Sequence, residues 1–400
     1  MSRILFAWEL GGGFGHLGPF RPIAEALLAR GHELTVAARD VQSAATVFGA
    51  LPLEIVQAPL CVKTYNGLAE PPLNFAEILM RYGYFDAPQL SGLLRAWRGL
   101  LDIVRPNVLV ADHAPTALLA ARGRKVALAV TGGAFCVPPP VSPTPNMRHW
   151  VNVPAQRLAN SDEAVLRVIN SVLPSATRRL GALHEIFDRV NWFFNGVPEL
   201  DPFGPRDPSS FLGLNSGAAG SALPQWPERE GPRIFAYLNS DYRHIEATLA
   251  ALAASGASCV IYLLGATPAI RQKYQGSNLV FSADLLDIDR AVTESNLCLC
   301  HGNFGTVVEV LRRGKPLLLL PMDLEKFLTA SSVERIGAGR LVHPESPHPD
   351  IAGALAHALQ TTSLAEAARA FALKHREPSV DTITASAARR IEALAQGQPE

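Results

Sequence analysis

The chain has 400 residues, 48% of them hydrophobic and 18% charged, which suits two domains that each bury a substantial core. Basic and acidic residues balance at 36 each, which argues against nucleic acid as a partner, because a phosphate-binding face needs a basic excess. The five cysteines, Cys61, Cys136, Cys259, Cys298 and Cys300, are odd in number and scattered, the usage of a reducing compartment and not of a disulfide scaffold.

The start, MSRILFAWEL, is apolar only as far as Glu9 and lacks the basic segment and cleavage site of a secretory signal. It reads as a strand, ILFAW at 4–8. A helix follows from about Phe20 to Arg30, then strands ELTVAA at 33–38 and VLVAD at 108–112, a helix through ALLAAR, and the strand VALAV at 126–130. This alternation predicts parallel βα units. Residues 60–100 and 135–195 carry aromatics, prolines and helical stretches without strand character, and read as excursions. From Pro198 to Arg233 the composition turns to Pro, Gly, Ser and Asn. A linker is placed at 206–232, between a first domain of 1–205 and a second of 233–375. The second alternation runs IFAYL at 234–238, a helix near 243–254, CVIYLL at 259–264, NLVF at 278–281, LCLC at 297–300 and LLLLP at 317–321. The Ala-rich tail is helical, and 376–400 is set apart as a C-terminal helix. No run reaches the roughly 18 uncharged apolar residues that a spanning helix requires. A protein with no stable membrane span, working in the cytoplasm, is expected.

The densest chemistry lies in HGNFGTVVEVLRRGKPLLLLPMDLEK, residues 301–326. A buried strand, LCLC, is followed by a glycine-flanked turn, and Val307, Val308 and Leu311 are spaced as one face of a helix. The turn therefore opens a helix whose unpaired N–H groups and positive dipole end suit phosphate, with Gly302 and Gly305 letting the main chain come close. Glu309 lies further into that helix, where a carboxylate is able to accept ribose hydroxyls or to serve only as a helix-dipole acid. Cys298, Cys300 and His301 do not read as a metal site: in a strand the two thiols share one face and the imidazole takes the other. No second ligand pair follows, and buried apolar cysteines are expected.

A second cluster lies in ELGGGFGHLGPF, where Gly11, Gly12, Gly13, Gly15 and Gly18 crowd the loop after the first strand. Gly13 to Gly18 spells GxGxxG, but Pro19 closes it and Ala38 and Arg39, not an acid, follow the second strand directly, so a dinucleotide site fits poorly. Walker-type phosphate binding is excluded, since no Gly-Lys-Ser/Thr follows. Asp112 ends a predicted parallel strand, where open α/β sheets gather ligands, or else caps the helix that follows.

Taken together these strings resemble the UDP-glycosyltransferase and MurG-like superfamily of GT-B glycosyltransferases, in both halves of the chain. In the second half His301, Gly305, Thr306, Glu309, Gly314, Pro316, Pro321 and Glu325 keep the family's donor pattern; in the first, Gly15, His16 and Pro19, then Arg30, Gly31 and His32, match its N-terminal loop and helix end. The resemblance implies two doubly wound Rossmann-like domains facing across a cleft, with the last helix crossing back to the first domain. It also implies His16 as general base with Asp112 as its orienting partner. His113 is a rival partner or an acceptor contact, and His32 reads as a helix-end residue. On the donor side the resemblance implies His301, Gly302, Asn303, Gly305 and Thr306 on phosphate, Glu309 on ribose and Glu325 on the sugar. Ser240 would help hold the diphosphate, and Phe281 would lie against the base. Lys326 departs from the pattern: the family has Gln there, and Lys cannot accept a hydrogen bond. Either it changes the donor sugar or it points into solvent.

The implied activity is inverting, metal-independent transfer of a hexose from a UDP- or dTDP-sugar to a hydroxyl of a small-molecule or lipid-like acceptor. No cofactor is required, the nucleotide sugar being a substrate. Gly15, His113 and Phe135, with RYGYF at 81–85, Trp97 and Trp150, are expected on the acceptor side. A nucleotide-sugar epimerase, a non-catalytic nucleotide-sugar-binding partner and an NAD(P)-dependent oxidoreductase stay open as alternatives.

Overall fold

The computed structural model describes residues 1–204, 206–215, 220–276 and 278–397. They form two compact units. Unit 1 comprises Met1–Asn195, Arg206–Leu212 and Asp381–Glu400; unit 2 comprises Gly196–Pro205 and Gly213–Val380. The expected linker, 206–232, partly outside the described residues, is thus divided: Arg206–Leu212 pack with unit 1, and Gly196–Pro205, expected in the first domain, pack with unit 2.

Unit 1 is built on a seven-stranded sheet. Its strands are β1 (Arg3–Trp8), β2 (Glu33–Ala38), β3 (Glu54–Gln57), β4 (Val108–Asp112), β5 (Ala127–Gly132), β6 (Asn191–Asn195) and β7 (Phe211–Gly213), in the order β3-β2-β1-β4-β5-β6-β7. β1 through β6 pair in parallel. Ile4 to Trp8 and Val108 to Asp112 are buried on both faces, which is why they read as unbroken apolar runs. β6 corrects the reading of 135–195 as free of strands: NWFFN has Asn at both ends and lacks a Val, Ile or Leu run, and the Asn191 side chain donates to Leu128 O at 3.1 Å. The sheet order reverses between β1 and β4, and Trp8 stands opposite Asp112. Loops leaving the C-terminal ends of these two strands diverge, so the crevice of an open α/β sheet lies here.

The helix Val380–Ala395 buries Ile383, Ala387, Ala388 and Ile391 in the unit 1 core with Ile4, Phe6, Leu27 and Leu34. His32 serves this junction: its Nδ1 accepts from Ser2 N at 3.3 Å and its Nε2 meets Glu392 at 3.2 Å, while Arg30 pairs with Glu392 at 2.8 Å.

Unit 2 has six parallel strands, β8 (Arg233–Asn239), β9 (Ser258–Leu264), β10 (Leu279–Phe281), β11 (Leu297–Cys300), β12 (Leu317–Leu319) and β13 (Gly339–Leu341). Their order is β10-β9-β8-β11-β12-β13, with the reversal between β8 and β11. Alternation across β11 sends Leu297 and Leu299 into one core layer and Cys298 and Cys300 into the other. Burial pushes both thiols up to about 12, so they behave as apolar side chains.

Candidate functional site

The loop after β1 is tied at once to the loop after β4, since Leu10 N donates to His113 O at 3.0 Å. A short 3-10 turn, Phe14–His16, then lifts the chain and brings the His16 ring back over Gly11. Gly11 has φ +82°, and a Cβ there would lie 2.4 Å from His16 Nε2. Only glycine allows this approach. The imidazole stacks on Trp8, ring centroids 5.4 Å apart, and its Nδ1 lies 2.9 Å from Asp112 Oδ1. Both side chains are buried, His16 7% and Asp112 2% exposed. Burial pushes the Asp112 carboxyl above the usual carboxylate range, and the facing imidazole pulls it back. Behind the carboxylate stands Gly132, at the end of β5, with φ +88°. A Cβ on it would come within 2.4–2.6 Å of the carboxylate atoms.

The alternative role for Asp112, capping the helix Pro115–Ala121, is filled by another acid. The helix has no side-chain cap from its N-cap residue Ala114; instead the Glu9 carboxylate, arriving from the end of β1, accepts from Thr116 N at 3.1 Å, Thr116 Oγ1 at 2.5 Å and Ala117 N at 3.3 Å. Burial raises Glu9 from the ordinary carboxylate value to about 7, against the pull of these donors.

His113 is not the partner of His16. Its ring lies 6.0 Å from the His16 ring, and its Nδ1 is buried without a hydrogen-bond partner. Burial lowers it to about 3, so the imidazole stays neutral. Its backbone sits at φ 48°, a left-handed conformation uncommon for residues other than glycine. Phe135, in the 3-10 turn Ala134–Cys136, meets the His113 ring edge-on at 6.4 Å. The same turn brings Cys136 Sγ within 4.8 Å of His16 and Asp112 ligand atoms. Gly15 is exposed, with open space where a Cβ would stand. Of the aromatics expected on the acceptor side, Trp97 and Tyr84 are fully buried core residues, whereas Tyr82 and Trp150 are half-buried and Phe85 is 38% exposed.

In unit 2 the end of β8 and the segments after β11 and β12 meet around His301. Its Nδ1 donates to Leu320 O at 2.7 Å and its Nε2 accepts from Asn239 N at 2.8 Å; burial lowers it to about 4. Both ring nitrogens are therefore used by backbone groups, and the neutral ring has no second N–H for a phosphate. His301 braces the strand ends, with Tyr242 packed on it at 5.2 Å. Gly302, at φ +86°, has no room for a side chain, because Lys326 O would lie 2.6 Å from a Cβ. Asn303 is the N-cap of the helix Phe304–Arg312 and makes no side-chain cap bond. Phe304, Gly305 and Thr306 open that helix, and the position of a Gly305 Cβ is open space.

Ser240 follows β8, its N donating to Leu264 O at 2.9 Å. Glu309 is 5% exposed, its carboxylate held by Arg313 one turn on. Glu325 lies in the first turn of the helix Leu324–Arg335, beside the N-cap Asp323, which accepts from Lys326 N at 3.0 Å. Lys326 Nζ also folds onto Asp323, so its charge is answered within its own turn. The Phe281 ring is packed in the unit 2 core with the Arg271 guanidinium 5.8 Å above it.

Glu9, Gly11 in its particular role, Gly132, Cys136 and Tyr242 were not legible as site residues. Glu9 and Gly132 do carry a signal in retrospect, an acid and a glycine at strand ends beside the sheet reversal.

No protein-family model matches the chain. It is 24% identical over 309 residues to a PGL/p-HBAD biosynthesis glycosyltransferase of Mycobacterium tuberculosis, covering 72% of this chain and 71% of that one. It is 28% identical over 141 residues to the zeaxanthin glucosyltransferase of Pseudescherichia vulneris, covering 34% of each. Among solved structures it is similar to the glycosyltransferase VinC in complex with dTDP, with a TM-score of 0.71, 15% identity, and 99% of this chain and 100% of that chain covered. The chain has the GT-B fold, and its sequence is similar to glycosyltransferases.

Proposed function

We propose that this glycosyltransferase homologue moves a hexose from a UDP- or dTDP-sugar to a hydroxyl of a small-molecule or lipid-like acceptor, with inversion, without a metal, and in the cytoplasm. The buried His16–Asp112 pair carries the reading. An ionised Asp112 only accepts hydrogen bonds, so it fixes the proton on Nδ1 and makes Nε2 the basic nitrogen. Nε2 would take the acceptor's hydroxyl proton as that oxygen bonds to the anomeric carbon. The bond from that carbon to the diphosphate breaks on the opposite face, and its electron pair leaves with the phosphate. Asp112 then steadies the imidazolium. Neutral His113 adds no opposing charge, and with Phe135 and Gly15 it would border the acceptor.

The amides opening the helix at Phe304, Gly305 and Thr306, with Ser240, would receive the diphosphate, supplying fixed dipoles where negative charge develops. His301 keeps that turn in place. Glu309 would meet the ribose by sharing its carboxylate with Arg313, and Glu325 the sugar hydroxyls.

His16→Ala should lower transfer about 10² to 10⁴-fold while leaving UDP or dTDP affinity by calorimetry unchanged. Activity that survives the change rejects the base assignment. A thermal-shift panel of nucleotide sugars with NAD(P)H on the same plate separates donor classes, since a ligand bound only by the folded state raises its apparent stability.

A further inference from the structure

Cys136 stands beside the His16–Asp112 pair, and the proposed transfer does not use it. A ring nitrogen of His16, a carboxylate oxygen of Asp112 and Cys136 Sγ all lie within 4.8 Å of one another, on side chains that are 7%, 2% and 2% exposed. The three residues come from the loop after β1, the end of β4 and the turn after β5, and these strands are neighbours in the sheet. Two short turns and one strand end thus gather the set at neighbouring strands. The Cys136 turn is further fixed by Arg206, whose Nη2 donates to Ala134 O at 3.3 Å and to Val137 O at 2.5 Å.

One nitrogen, one oxygen and one sulfur donor make a borderline-soft set that suits zinc(II) over magnesium or calcium. Zinc bonds of about 2.0–2.3 Å in tetrahedral geometry put ligand atoms roughly 3.3–3.8 Å apart. The 2.9 Å between His16 Nδ1 and Asp112 Oδ1 and the 4.8 Å limit across the three donors bracket that range.

We propose that His16, Asp112 and Cys136 form a zinc(II) site with water in the fourth position, and that occupancy switches transfer off. Cys136 binds as thiolate, its proton going to solvent. The imidazole lone pair given to the metal is no longer available to an acceptor proton. The site rests on geometry; the inhibition rests on the base role proposed for His16.

The test uses the full chain, stripped by a chelator and titrated with zinc against a chromophoric indicator, with no sugar donor or acceptor present. One equivalent should bind, about tenfold or more weakly in Cys136→Ser and unchanged in Cys61→Ser. Cobalt(II) in place of zinc should give a thiolate-to-metal charge-transfer band with the Cys61→Ser protein and none with Cys136→Ser. Equal zinc affinity with and without the Cys136 thiol overturns the site. So does a cobalt complex of the Cys61→Ser protein lacking the band, a readout that stands even where Cys136→Ser fails to fold. Turnover should fall with zinc occupancy and return with chelator. Full turnover with zinc bound overturns the inhibitory role while leaving the binding result in place.

Discussion

Gly132→Ala isolates what the close packing behind Asp112 does. The residue sits at φ +88°, and its Cβ would lie 2.4–2.6 Å from the Asp112 carboxylate. The backbone alone costs about 1–2 kcal/mol for a residue with a Cβ in that region. Overpacking against a buried side chain adds about 1–3 kcal/mol, so the total is about 2–5 kcal/mol if nothing moves. The cheapest relief is rotation of the carboxylate, and that breaks the 2.9 Å contact to His16 Nδ1. Gly31 is the matched control: φ +80°, at a helix end, with nothing within 4 Å of a Cβ. Gly31→Ala should therefore cost only the backbone part, and leave turnover unchanged. Chemical denaturation and initial transfer rates on both variants separate the two contributions. Gly132→Ala should lower kcat toward the level of Asp112→Asn, with nucleotide affinity preserved. If its loss of activity is no greater than that of Gly31→Ala, the carboxylate is not held in place by this contact and the reasoning fails.

Three further outcomes follow. Glu9 has its folded-state value raised to about 7 from 4.5, so it opposes stability as pH rises through that window; His113, lowered to about 3 from 6.5, does the reverse. Each contributes about 1.4 kcal/mol per pH unit where folded and unfolded protonation differ. Between pH 4.5 and 6.5 the Glu9→Gln protein should gain stability more steeply with pH than the parent, and parallel denaturation curves would reject the assignment. Lys326→Gln breaks only a short-range ion pair at a helix start, of a kind that contributes little, so its melting temperature should hold while donor preference changes across a nucleotide-sugar panel. An unaltered preference returns Lys326 to a local role. Glu309→Ala should weaken nucleotides that carry a ribose, by calorimetry; equal affinity removes Glu309 from the donor site.

The parts of the fold that were legible are those buried on both faces. ILFAW, VLVAD, IFAYL and LCLC are continuous apolar runs because helices cover both sides of each sheet, and they mark the strands flanking the two reversals. β6 was missed because aromatics and asparagines supply its burial and hydrogen bonds. The pairing of His16 with Asp112 was expected from family resemblance; the β1–β4 register sets Trp8 opposite Asp112, and the turn Phe14–His16 brings the imidazole onto that carboxylate. The contacts that redefine other residues connect distant segments. His301 meets Asn239 and Leu320 through backbone atoms, and no local pattern announces that both ring nitrogens will be occupied. Phe281 is a candidate for the base only through the family resemblance, and the cation above it and the core around it come from elsewhere in unit 2.

The two acids at the first reversal show how burial divides labour. Asp112 ends β4 and Glu9 follows β1 beside the same short helix, and the sequence offers only Asp112 as its cap. Glu9 takes the Thr116 and Ala117 amides and, with a value near 7, remains tolerable in an apolar setting because three donors converge on it. With the helix satisfied, Asp112 has no amide to compete for its carboxylate and faces the imidazole instead. The nearby His113 is kept neutral by burial, so it does not contest that carboxylate with a second positive charge. Losing Glu9 would leave the Thr116 and Ala117 amides without the carboxylate that accepts from them, so the start of this helix would lose its cap.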